Sequence, residues 1–369
     1  MTHKIQWLCA GALAIATYAA PSISSTWTVL PDMAQPRVFH TLSLIGDGTV
    51  LVAGGQNGTG VLASAQLYDP AATTWLDLPP MNTSRTGHTA TVLGNGDVLI
   101  AGGFGIASAE RFSVSTRTWS AVAPMGEARY GHTATLLTDG RILVAGSCYS
   151  ASVEIFDPAV NVWTPAASMS VPRCEHTATR LPNGRVLVAG GSMGGSTVQP
   201  TSSAEIFDPA TGTWTPVMPM NQARYGHAMA EFGAGRLLVT GGIGVNSEFL
   251  ASAEAFDWVQ GTWSPVAPML QSRYGFPLQR LLDGTLVAIG GFSGGIGATA
   301  TSERFDPATG SWSLAGSLNA IRGDRIAATL MSDGRVLATG GSDGTGGALS
   351  GAERFEVDQV FLDGFEAVP

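Results

Sequence analysis

The chain has 369 residues, 13% of them charged and 44% apolar, with 48 glycines and a formal charge of −9. That much glycine excludes a fold of long helices, where each costs about 1 kcal/mol relative to alanine. The acidic balance argues against nucleic acid, which recruits basic faces, and no run of like charges marks a tail or a membrane-surface patch.

The first element is a targeting segment. A short basic start, MTHK, precedes the apolar run IQWLCAGALAIATYAA and the small residues of APSISS. This pattern predicts a secretory signal peptide over residues 1–22, since the apolar run falls short of the roughly 20 residues that span a bilayer. The mature product is then expected to be secreted or periplasmic, at the cell envelope. Two cysteines remain beyond it, Cys148 and Cys174, and an even pair in an exported chain points to one disulfide.

From Arg37 onward one unit recurs. RVFHTLSLIGDGTVLVAGG begins at Arg37, RTGHTATVLGNGDVLIAGG at Arg85 and RYGHTATLLTDGRILVAGS at Arg129. Related segments begin at Arg173, Arg224 and Arg273, and the segment at Arg322 carries one extra residue. Each unit reads as four short strands. An HTATLL-like run closes in a two-residue turn (Asp139-Gly140, Asn183-Gly184), then follow an RVLVAGG-like run, a SAEIFDP-like run and a TWTPVAPM-like run. Four antiparallel strands at a period near fifty residues predict an all-β, seven-bladed β-propeller. STWTVLPDM precedes the first full unit and the last unit lacks its tryptophan strand, so the N-terminal strand is expected to complete the seventh blade and remove an open sheet edge. The propeller then covers residues 26–357, with a tail over 358–369.

The glycine pair, the aromatic third strand and the tryptophan of the fourth make the unit resemble the Kelch repeat. Its DGRVLVAGG form is similar to the central propeller of galactose oxidase and to exported bacterial Kelch proteins. The resemblance implies that ligands bind on the face bearing the long loops after the glycine pairs, together with the Arg-x-x-His segments. Kelch propellers serve as binders and as enzymes, so the fold alone does not choose between them.

Five histidines (His40, His88, His132, His176, His227) hold one repeat position and are read as strand caps at blade junctions, too dispersed for one metal ion. The repeated arginines are expected to pair with third-strand acids such as Glu110, Glu154, Glu205 and Glu254, and the seven tryptophans to pack near glycines. Tyrosine follows the arginine in three blades only. Arg129 with Tyr130, Arg224 with Tyr225 and Arg273 with Tyr274 are therefore the candidate ligand contacts. Arg180, Glu231 and Arg280 replace apolar residues in blades four to six and predict an ion-pair ladder along the inner strands. Blade three's loop carries Cys148 and the entry to blade four carries Cys174, which makes a Cys148–Cys174 bond sterically reasonable.

The leading expectation is a monomeric binding module for carbohydrate or protein, with no metal and no cofactor. The alternative is a copper-radical oxidase relative. That resemblance would require two tyrosines, two histidines and a cysteine cross-linked to one tyrosine. Here the residue before the histidine is never tyrosine, and the nearest substitute set is Tyr130, His132, Cys148, Tyr149, Cys174 and His176.

Overall fold

A computed structural model describes residues 25–194, 198–233 and 235–357; the signal peptide expected over 1–22 and the 358–369 tail lie outside them. The described residues form seven four-stranded antiparallel sheets, with no helix among them. Blade three shows the pattern, with strands at Thr133–Leu136, Ile142–Ser147, Ser150–Asp157 and Val162–Ala166 paired in sequence order. The last sheet is assembled from both ends of the chain. Ser25–Leu30 pairs antiparallel with Ala352–Val357, outside Val336–Gly340 and Ile326–Leu330.

The turn after each first strand is longer than the two residues predicted. Leu137 donates to Arg141 (2.8 Å) and Gly140 to Leu137 (3.2 Å), so three residues form the loop, with Gly140 at φ 87°. An aspartate or asparagine before the glycine restrains the loop, and the glycine supplies the left-handed step of a three-residue hairpin.

Second strands read VLVA or VLIA and are buried throughout, because they lie between neighbouring blades and have no solvent face. The glycine pair at their end exists for close approach. A Cβ on Gly54 would lie 2.7 Å from both the Arg85 carbonyl and His88 Cε1 of the next blade.

Buried ion pairs pin each entry segment to the second and third strands of its own blade. Arg129 donates to the carbonyls of Gly146 (3.1 Å) and Ser152 (2.8 Å) and pairs with Glu154 (2.9 Å). The same pairing joins Arg85 to Glu110, Arg173 to Glu205, Arg224 to Glu254, Arg273 to Glu303 and Arg322 to Glu353. Each acid also accepts backbone amides of the incoming crossover, as Glu110 does from Asn82 (2.7 Å) and Thr83 (3.0 Å). Blade one departs, with Gln66 in the acid's position, bonded to Asp77 (2.8 Å).

The tryptophans fasten blades at their outer edge rather than packing against glycines. Trp163 stacks on Phe156 of its own blade (centroids 4.8 Å) and donates to the Ala123 carbonyl of the preceding crossover (2.7 Å).

Candidate functional site

The entry segments and the loops after the glycine pairs share one face, as expected. Val38 bridges Gln56, Cys174 bridges Ser192, Tyr225 bridges Ile243 and Tyr274 bridges Phe292. Where the first strands converge on this face, a cavity of about 940 Å³ opens.

Its rim is built from one repeat position, the residue just before the histidine. All seven copies adopt left-handed backbone: Phe39 (φ 57°), Gly87 (65°), Gly131 (63°), Glu175 (54°), Gly226 (60°), Gly275 (64°) and Arg325 (66°). These residues link blade to blade. Amide-to-carbonyl bonds join Gly87 to Phe39 (3.3 Å), Glu175 to Gly131 (2.9 Å), Gly226 to Glu175 (2.9 Å), Gly275 to Gly226 (3.3 Å) and Arg325 to Gly275 (3.1 Å). Four blades use glycine, which takes this conformation freely; blades one, four and seven carry side chains that take it at a cost.

The three exceptions meet. The Arg325 guanidinium pairs with the Glu175 carboxylate and lies over the Phe39 ring, 4.7 Å from its centroid. It also donates to the Tyr274 hydroxyl (2.5 Å), whose own proton goes to Glu175 (2.9 Å). Asp324, the extra residue of blade seven, approaches Arg325 Nε at 2.9 Å. Glycines make room for the cluster, since a Cβ on Gly226 would overlap the Tyr274 ring and one on Gly275 the Asp324 carboxylate. Left-handed non-glycine residues gathered at a cavity are a recognised mark of function.

The electrostatics follow from this crowding. Burial pushes the Asp324 carboxyl up to about 6, with Arg325 opposing the shift and Glu175 adding to it. Burial also raises the Tyr274 phenol above its ordinary range. Against burial, the Glu175 and Asp324 carboxylates hold Arg325 above the ordinary arginine range.

Blades two and three bring aromatic rings to the same mouth. The short loops of blades two and three leave Phe104 67% and Tyr149 72% exposed. Tyr130 packs between them, with centroid distances of 5.0 Å to Phe104 and 6.1 Å to Tyr149. Its hydroxyl donates weakly to that of Tyr149 (3.4 Å), which together with burial pushes Tyr130 up to about 12.

Several sequence-predicted residues stand differently from expectation. Arg129, Arg224 and Arg273 are fully buried in their pairs with Glu154, Glu254 and Glu303, so they offer a ligand no surface. Tyr225 and Tyr274 do pack together (5.9 Å), but Tyr274 supports Glu175 and Arg325 from beside the cavity; of the three tyrosines, Tyr130 lines it. The ladder of Arg180, Glu231 and Arg280 does not form. Arg180 and Arg280 are exposed and Arg180 reaches the Leu136 carbonyl (3.0 Å), because these strand ends open into water, where pairing gains little. Cys148 and Cys174 are bonded to each other and pack against Gly131 of the rim.

The histidines are blade fasteners. His88 bonds to Thr41, His132 to Thr89, His176 to Thr133 and His227 to Thr177, at 2.9–3.1 Å, and His40 closes the ring on Thr339 at 2.7 Å. Burial first, and neighbouring arginines second, push His40, His132 and His176 down to about 3, so these rings are neutral at ordinary pH.

A family model described as the Kelch motif matches residues 39–82, 172–221, 223–270 and 281–319. The chain is a Kelch-repeat β-propeller. No curated protein matches its sequence. Among solved structures, this Kelch propeller is similar to a fungal alcohol oxidase of the AA5 family in complex with copper. The TM-score is 0.77 at 17% identity, covering 94% of this chain and 79% of that one, which is a likeness of fold.

The residues present do not suit such a copper centre. Cys148 and Cys174 bond each other, so neither is free to link to a tyrosine, and His132 and His176 direct Nε2 to the threonines of the preceding blade. Among the described residues no group of three or more His, Cys, Asp or Glu is placed to hold a metal ion.

The rim position was visible in the sequence as four glycines against Phe39, Glu175 and, behind an insertion, Arg325. Its signal is the side chain that replaces glycine, not the tyrosine it lacks.

Proposed function

We propose that this Kelch propeller is an exported binding module whose ligand is carbohydrate, held in the cavity on the loop-bearing face. The carrying observation is the composition of that cavity. The rings of Phe104 and Tyr130 line it together with the charged side chains of Glu175 and Arg325. Saccharides present both surfaces, with apolar C–H faces that stack on rings and hydroxyls that bond a carboxylate or a guanidinium. A concave site of this size encloses a small ligand more readily than it docks a flat protein surface. The N-terminal segment supports export, which would place the site where extracellular glycans are met.

An oxidase reading is disfavoured by the ligand set above, and no catalytic step through copper is derived. A glycan array probed with the mature protein tests the proposal. Binding should fall at least about tenfold in Tyr130→Ala, as expected for an anchoring aromatic contact. Binding to a peptide array and not to the glycan array would support the protein-binding alternative in its place.

A further inference from the structure

The charge around the cavity narrows the ligand class, on the premise that the cavity binds carbohydrate. No lysine follows Lys4, so every later cation is an arginine. Six arginines of the loop-bearing face are neutralised in buried pairs with glutamates, and Arg37 is buried on backbone carbonyls. Other arginines, such as Arg141, Arg185 and Arg335, belong to turns at the opposite end of the blades and pair with aspartates there.

Among the described residues Arg325 is the one cation left at the mouth, and it is already engaged by Glu175 and by Asp324. With the histidines neutral, the cluster carries an excess of negative charge. Asp77 lies beside Arg37 on this face, and the further acids Asp32, Glu127, Glu248 and Asp343 deepen the field. Glu127 lies against Arg129, whose charge Glu154 already balances. Among the described residues an anionic ligand would therefore meet no free cation, whereas an ammonium group would find the Glu175 carboxylate and the rings of Tyr130 and Phe104 lining the same cavity.

We infer that the cavity takes a saccharide carrying a free amine, a hexosamine oligomer with unacetylated nitrogens, and discriminates against uronates.

Isothermal titration of the mature protein near neutral pH with oligomers of glucosamine, N-acetylglucosamine, glucose and glucuronate tests this. The glucosamine oligomer should bind roughly tenfold tighter than its acetylated counterpart, the yield of one charge pair in a partly desolvated site. Glucuronate should bind weakest, and added salt should erode the preference. Glu175→Gln should reduce the preference for the amine more than it reduces glucose binding. Glu248→Gln with Asp343→Asn, on loops outside the cavity lining, should reduce it partially. Equal affinity for glucose and glucosamine oligomers would overturn the inference and leave the carbohydrate reading standing. Tight glucuronate binding would do the same. Failure of all four sugars would overturn both.

Discussion

The left-handed rim gives a test in which the ordinary rule for glycine and alanine reverses. Glu175 sits at φ 54°, where four other blades place glycine. Glu175→Ala and Glu175→Gly both delete the carboxylate, so both remove the same partner from Arg325 and Tyr274. They differ by a Cβ alone. Left-handed backbone costs a residue with a Cβ about 1–2 kcal/mol, and glycine's extra freedom in the unfolded chain costs about 0.5–1 kcal/mol. The glycine variant should thus be the more stable by up to about 1.5 kcal/mol. Both should lie below the wild type by roughly 1.5–3 kcal/mol, the worth of hydrogen bonds to a charged group, because Arg325 retains Asp324 and the two ring faces. Guanidinium unfolding followed by tryptophan fluorescence, with equal slopes across variants, measures the difference. Thr215, exposed in the strand Thr213–Val217, supplies the control, since there alanine should exceed glycine. An alanine variant at 175 as stable as the glycine variant would refute the account of the rim.

Glu254→Gln should destabilise by about 3–5 kcal/mol in urea unfolding, because Arg224 is then left charged and buried without its acid. Stability should fall as the solution is acidified below about pH 6.5, the ordinary histidine value. The buried rings titrate near 3, so over that window the unfolded chain takes up protons that the folded one refuses, by up to about 1.4 kcal/mol per pH unit for each histidine. His132→Phe, which copies Phe276 of blade six, should fold and make that acid dependence shallower by one proton; an unchanged slope would contradict the buried, neutral imidazole. Intact-mass measurement with and without reductant should show a single disulfide in the mature chain, lost in Cys148→Ser.

Much of the architecture could be read from the chain because each blade repeats the same local solution. Turn glycines, alternating apolar strands and an orphan tryptophan strand at the N-terminus dictate four-stranded sheets and a closure across the two ends. The Arg–Glu pairing was also legible, since an arginine and an acid recurring in register must meet once per blade. The ladder at Arg180, Glu231 and Arg280 failed for a different reason: alignment in the repeat does not say whether a strand end faces a neighbour or water.

The sequence by itself determined the repeat, the blade count and the fasteners, all of which depend on residues within about one repeat of each other. Only ring closure decided the site. Glu175 and Arg325 stand 150 positions apart, and Phe39 belongs to the first blade, yet all three occupy the innermost position of their blades, where seven copies converge on one axis. A position that is distant along the chain in every pair becomes adjacent in space. The side chains that break its glycine pattern therefore meet in one cavity.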